Sequence, residues 1–168
     1  MPFRLSDFDY DLPPELVAQV PAATRAGSRL LHVDGAALTD RRFADLPELL
    51  APGDLVVLND TRVLNARVPA RKPSGGRVEL LVERLVGDKE AWAQVRASHP
   101  PRAGATLELA GGARARVLAR EDRFFRLAFE IAEPLSAWLE RHGEIPLPPY
   151  VERAAAASDR ERYQTVYA

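Results

Sequence analysis

Cysteine is absent from the 168 residues, which excludes a disulfide framework, a thiol nucleophile and a thiolate metal site. Lysine is nearly absent as well. The basic residues are 21 arginines with only Lys72 and Lys89, a bias that the abundant alanine ties to genome composition rather than to function. No apolar run approaches the roughly 20 residues needed to span a membrane. The N-terminus lacks the basic-then-apolar order of a signal peptide. Cytoplasm is therefore the expected compartment. What remains, 46% hydrophobic and 28% charged residues, is ordinary for a globular protein of one domain or two small ones.

Charge is nearly balanced at −1 overall but unevenly spread. Residues 62–120 carry 12 basic and 5 acidic side chains, a balance of +7, and the flanks are acidic. A basic middle segment suits a phosphate-facing module. It is equally what a solvated surface with scattered arginines looks like.

The chain is organised around Gly53–Arg67. A turn, Ala51-Pro52-Gly53-Asp54, leads into the apolar run Leu55-Val-Val-Leu58, which reads as a strand buried on both faces. Asn59, Asp60, Thr61 and Arg62 follow. Polar groups just past a buried strand stand on a rigid base, where sites tend to be built. The same residues also read as a plain turn with Asp60 or Thr61 as a cap.

Upstream, Pro13-Pro14 can start a short helix with Leu16 and Val17 facing the core. Asp7, Asp9 and Asp11 imitate a calcium loop in spacing only, without its glycine and terminal glutamate, so no metal site is expected there. Leu30–Val33 and Leu38–Phe43 read as a hairpin about the Asp34-Gly35 turn, with His32 as a packed or surface residue. Arg25 and Arg29 flank Gly27-Ser28 as a solvated loop or an anion contact. Residues 44–52 predict a short helix with Asp45 as N-cap and Leu46, Leu49 and Leu50 on one face.

From residue 66 to about 130 the runs become short, rich in Val and Leu, and separated by turn residues. Candidate strands are Arg77–Leu85, Ala91–Arg96, Thr106–Leu109, Ala113–Ala119 and Phe124–Glu130. Five or so strands at that spacing predict a small antiparallel β-barrel. Period-two alternation puts Arg114 and Arg116 on its outer face. Residues 134–143 predict a helix opened by Pro134 and stopped by Gly143, with Leu135, Trp138 and Leu139 on one face and His142 in the last turn. Three prolines within Pro146–Pro149 stiffen the next segment. Asp159 can cap a turn, and the end of the chain looks strand-like.

Six motifs in order carry a resemblance: Leu5-Ser-Asp-Phe-Asp-Tyr-Asp-Leu-Pro13, Ser28-Arg-Leu-Leu31, Leu58-Asn-Asp-Thr-Arg-Val63, Gly75-Gly-Arg-Val-Glu79, Gly143-Glu-Ile-Pro-Leu-Pro-Pro-Tyr150 and Asp159-Arg-Glu-Arg-Tyr-Gln-Thr-Val-Tyr-Ala168. Together they resemble the N-terminal part of the S-adenosylmethionine:tRNA ribosyltransferase-isomerase family of queuosine biosynthesis. The resemblance runs from Leu5 to Ala168. Family members continue into a segment like Ala-Pro-Thr-Ala-Gly-Leu-His-Phe, so the chain is expected to be a truncated form. Ser98-His-Pro-Pro-Arg102 departs from a more basic family loop.

The resemblance implies an α+β fold, with a partial α/β core at residues 1–66 and 134–168 and an inserted small antiparallel β-barrel at 67–133. It implies transfer and isomerisation of the ribosyl part of S-adenosylmethionine onto 7-aminomethyl-7-deazaguanine at the tRNA wobble position. Epoxyqueuosine forms, and adenine and methionine leave. S-adenosylmethionine is then a co-substrate, no cofactor or metal is expected, and the chain acts as a monomer on tRNA, away from membranes. Asp60 is the candidate base or ribose-hydroxyl acceptor, with Asn59 and Thr61 orienting the ribosyl group. Arg62 and Arg67 suit the methionine carboxylate or RNA phosphate. Tyr150 and Tyr163 suit stacking on adenine or the wobble base, and Gln164 suits substrate hydrogen bonding. Arg71, Lys72, Arg77, Arg114 and Arg116 are the candidate RNA contacts. The competing reading is a non-catalytic RNA-binding barrel, which predicts salt-dependent tRNA binding without S-adenosylmethionine.

Overall fold

The structure is a computed structural model that describes residues 3–166. It is α+β: a closed barrel, a separate two-stranded sheet and few helices. The described residues fall into two compact units. One reaches to Leu58 and includes Pro148–Ala154; the other is Asn59–Leu147 with the residues from Ala155 onward.

In the first unit, strands β1 (Arg29–Asp34) and β2 (Ala37–Arg42) form the expected hairpin. Asp34 pairs with Ala37 across a two-residue loop. Gly35 opens that loop at φ +56, the positive value that a first central position favours in tight hairpins. Short 3₁₀ turns at Leu5–Phe8, Pro14–Leu16 and Arg25–Gly27 precede it. Gln19 ties the Pro148–Ala154 segment in: its amide donates to the Tyr150 carbonyl at 3.0 Å, and its side-chain oxygen accepts the Glu152 N–H at 2.7 Å.

Three expectations fail in this unit. Leu16 is exposed rather than core-facing. The helix of residues 44–52 is a 3₁₀ helix, Phe43–Leu49, in which Asp45 is not the N-cap: it lies in the first turn and accepts the Arg42 N–H at 2.9 Å. Pro47 inside it blocks a regular α-helical ladder. The run Leu55–Leu58 is neither a strand nor buried, with Leu55 88% and Val57 84% exposed. A strand exists only where a neighbour completes its ladder, and among the described residues of this unit the only sheet is the β1–β2 hairpin.

The second unit is built on the barrel. Strands β3 (Arg67–Arg71), β4 (Arg77–Leu85), β5 (Glu90–Arg96), β6 (Thr106–Glu108), β7 (Arg114–Glu121) and β8 (Phe124–Glu130) close in the order β3-β4-β5-β8-β7-β6, all antiparallel. Alternation decides what faces inward: Val68 and Ala70, Val78, Leu80 and Val82, Ala91 and Ala93, Ala115 and Val117, then Phe125, Leu127 and Phe129 are buried. Each fully buried Leu or Phe contributes about 1.5–3 kcal/mol relative to exposure. Register shifts at Val82/Arg84 and Val117/Ala119 bend β4 and β7 around the closure.

Strand β3 is the one that no apolar run announced, because Pro69 interrupts it. The pairing explains its tolerance. On one edge of β3, Arg71 pairs with Glu108 and Arg67 exchanges both backbone bonds with Glu144, at 3.1 and 2.8 Å. Pro69 falls in the gap between them, so its missing N–H deprives no neighbouring strand of a bond.

Helix α1 (Leu135–His142) packs Leu135, Trp138 and Leu139 into the barrel's own core. Trp138 lies 6.4 Å from Phe129 and 4.9 Å from His142, centroid to centroid. Gly143 stops the helix at an ordinary φ of −81, not in the left-handed region. Its need is spatial: a Cβ there would collide with the Asn65 carbonyl. The stretch after it buries Ile145 and Leu147. The tail forms a helical turn, α2 (Asp159–Arg162), where a strand-like end was expected. Tyr167 and Ala168 lie outside the described residues.

Candidate functional site

The loop Asn59–Arg62 lies outside any helix or strand, is exposed and is locally tied. Thr61 donates both its N–H (3.0 Å) and its hydroxyl (2.7 Å) to the Asn59 side-chain oxygen. This is the turn chemistry open to asparagine, and it leaves the Asn59 side-chain NH₂ and the Thr61 hydroxyl lone pairs for other partners. Asp60, between them in sequence, is exposed and makes no hydrogen bond or ion pair among the described residues.

Two side chains hold this loop from its C-terminal side. Arg62 pairs with Glu140 of α1 at 3.1 Å. Gln164, 101 residues away in sequence, accepts the Val63 N–H at 2.8 Å and donates to the Val63 carbonyl at 3.2 Å. One side-chain amide thereby completes both backbone groups of a residue that has no sheet neighbour among the described residues. Gln164 thus contacts backbone rather than facing open space. Next to it, Asp159 is 2% exposed and caps its turn by accepting the Ala156 N–H at 2.7 Å. Tyr163 is half-buried in the same stretch.

Arg67 is turned into the protein. Its Nη2 donates to the Leu147 carbonyl at 3.3 Å, and its Nε is buried with no hydrogen-bond partner among the described residues. Tyr150 is 62% exposed and belongs to the first unit, whereas Asn59–Arg67, Tyr163 and Gln164 all belong to the second.

The candidate RNA contacts sort by the barrel register. Arg77, Arg71, Glu108, Arg114 and Glu130 form one cross-strand row over β4, β3, β6, β7 and β8. Arg116 lies on the same outward side, opposite Thr106. Lys72 is drawn aside, its ammonium donating to the His99 carbonyl at 2.5 Å. Arg71 and Arg77 line a surface cavity of about 660 Å³ together with Arg96. Arg96 and Glu140 were not singled out from sequence. A lone arginine in a strand and a glutamate on a helix carry no signal until the register and packing place them. Arg29 contacts Asp40 at 3.5 Å, with both side chains largely exposed.

Among the described residues, no group of three or more His, Asp or Glu side chains is gathered as a metal site would require. No helix among them is long and apolar enough to cross a membrane.

A family model described as queuosine biosynthesis protein matches residues 5–168. A relative from Azoarcus sp. (strain BH72), named S-adenosylmethionine:tRNA ribosyltransferase-isomerase, is 56% identical over 168 residues, covering 100% of this chain and 49% of its own length. A relative of the same name from Xanthomonas oryzae pv. oryzae is 56% identical over 167 residues, covering 98% of this chain and 47% of its own length. The crystal structure of S-adenosylmethionine tRNA ribosyltransferase from Thermotoga maritima is 33% identical and covers 82% of this chain and 48% of that one, with a TM-score of 0.43. The chain spans about half the length of the curated relatives it matches.

Proposed function

Because the chain belongs to the queuosine biosynthesis protein family, we propose that it takes part in moving the ribosyl group of S-adenosylmethionine onto 7-aminomethyl-7-deazaguanine at the wobble position of a tRNA. The product is epoxyqueuosine, with adenine and methionine released. The observation that carries this reading is 56% identity along the whole chain to a relative named for that activity.

The chemistry asks little nucleophilic help of the protein. The aminomethyl nitrogen attacks, and the sulfonium acidifies the C–H bonds beside it. The protein must accept a proton, hold the ribose hydroxyls and assist the departing adenine. Asp60 suits the first task because its carboxylate is exposed and unpartnered among the described residues. Asn59 retains its NH₂ and Thr61 its oxygen lone pairs for the ribosyl hydroxyls. Arg62, with Glu140 on one edge of its guanidinium, has N–H groups left for the methionine carboxylate. Arg67 would need to turn its Nε toward a ligand for the same task. Tyr150 and Tyr163 are the stacking candidates, and Gln164 acts by holding Val63. The arginine-bearing barrel faces the RNA, and the protein acts as a monomer in the cytoplasm.

The test is adenine release. A protein containing this chain is incubated with S-adenosylmethionine and tRNA carrying 7-aminomethyl-7-deazaguanine. Adenine appearing only when both substrates are present supports the reading. Salt-dependent tRNA binding with no adenine release would instead favour a non-catalytic RNA-binding barrel, a reading that the completeness of the barrel's own core supports.

A further inference from the structure

Like charges directly opposite one another in an antiparallel pair are destabilising, yet Arg71 and Arg77 are cross-strand partners on β3 and β4. Neither makes a hydrogen bond or ion pair among the described residues, and both are exposed. A third arginine, Arg96 on β5, faces Glu79 across the β4–β5 ladder, two residues along β4 from Arg77. It too is exposed and unpaired. All three residues line one cavity of about 660 Å³, with Glu79 and Glu108 also on its lining.

We propose that this groove is a clamp for the RNA backbone, in which Arg71, Arg77 and Arg96 take successive phosphates of one strand. Three features favour a polymer over a compact anion. The three arginines stand on three different strands, β3, β4 and β5. Opposed positions bring Arg71 and Arg77 to about 5 Å at Cβ, and the diagonal from Arg77 to Arg96 spans about 7–8 Å. Glu108 faces Arg71 and Glu79 faces Arg96 across the ladders, so carboxylates interrupt the arginine set and disfavour gathering all three on one small anion. Arginine also suits the task because its planar fork binds phosphate through two parallel bonds. The repulsion between Arg71 and Arg77 in the free protein is relieved when phosphates lie between them. Lys72 is outside the clamp, since its ammonium is taken up by the His99 carbonyl.

This inference rests on the reading that the chain acts on tRNA, but its test does not use catalysis. A fluorescently labelled tRNA transcript is titrated with the 168-residue chain over a salt series, and log Kd is plotted against log salt. Each of Arg71→Ala, Arg77→Ala and Arg96→Ala is expected to lower the slope by about 1, and the triple variant by about 3. Arg123→Ala, which removes a guanidinium lying 5.0 Å over the Phe124 ring on another part of the barrel, is expected to leave the slope unchanged. Arg77→Glu separates folding from binding: it converts the opposed pair to opposite charges, so the barrel melts no lower than the parent while tRNA binding weakens. An unchanged slope in the triple variant overturns the clamp, as does an equal loss in Arg123→Ala, which would indicate diffuse attraction. Equal affinity for heparin, with the same dependence on the three arginines, overturns RNA as the occupant. If adenine release fails while these slopes behave as expected, the proposed reaction falls and the clamp stands.

Discussion

Gln164 grips the backbone of Val63, accepting its N–H at 2.8 Å and donating to its carbonyl at 3.2 Å across 101 residues of sequence. The same side-chain oxygen accepts the Thr165 N–H at 3.1 Å. A segment near the end of the chain therefore sets the position of the loop that carries Asp60. Replacing Gln164 with Leu leaves two part-buried backbone groups without partners, a loss of roughly 1–3 kcal/mol for each group left unsatisfied. The expected outcome is faster hydrogen exchange at the Val63 amide with little change in the barrel amides. Glutamate at 164 keeps the acceptor and loses the donor, so it should fall between.

Asp60→Asn preserves shape and removes the carboxylate. If Asp60 takes the proton, adenine release by a protein containing this chain should fall by about 10²-fold or more, the typical contribution of a positioned acid or base. Near-normal adenine release would take Asp60 out of that role.

Arg62 and Glu140 meet at 3.1 Å with side chains 63% and 38% exposed. A pair so open to water is worth about 0.2–1 kcal/mol. A double-mutant cycle with Arg62→Ala and Glu140→Ala, read by thermal unfolding, should return a coupling in that range that shrinks as salt is raised. A larger loss of adenine release in Arg62→Ala than in Glu140→Ala would assign Arg62 a direct contact with substrate.

Gly143→Ala should destabilise the barrel unit by about 1–3 kcal/mol, because the new Cβ meets the Asn65 carbonyl and the backbone must shift. Urea unfolding measures this directly. The loss comes from crowding, since φ at this position is one that alanine adopts freely.

Trp138→Ala empties a core position shared by α1 and the barrel, where Trp138 is 3% exposed. A loss of about 3–5 kcal/mol is expected. The near-ultraviolet circular dichroism contributed by Trp138, whose ring lies 4.9 Å from that of His142, should vanish with it.

Much of this was legible beforehand, and the gaps have physical causes. The alternation in Arg77–Leu85 and Phe124–Glu130 is a property of neighbouring residues, so those strands could be read directly. Strand Arg67–Arg71 is not legible in the sequence because Pro69 argues against a strand unless the free edge beside it is known. Leu55–Leu58 misled in the other direction: an apolar run shows a preference for burial, but burial also needs a covering surface. Asn59–Arg62 could be picked out as a polar loop. That Asn59 and Thr61 bond to each other, that Arg62 meets Glu140, and that Gln164 holds backbone could not.

By itself the sequence determined the local periodicities, the turns, the helix from Leu135 with its apolar face, and, through six ordered motifs, the family. Those depend on residues close together in the chain or on the identities of the residues themselves. Tertiary structure decided the barrel's closure and register, the placing of Arg71 opposite Arg77 with Arg96 across the groove, and the grip of Gln164 on Val63. These are pairings between distant segments. Each exists only once the hydrophobic core has brought the strands and helix together.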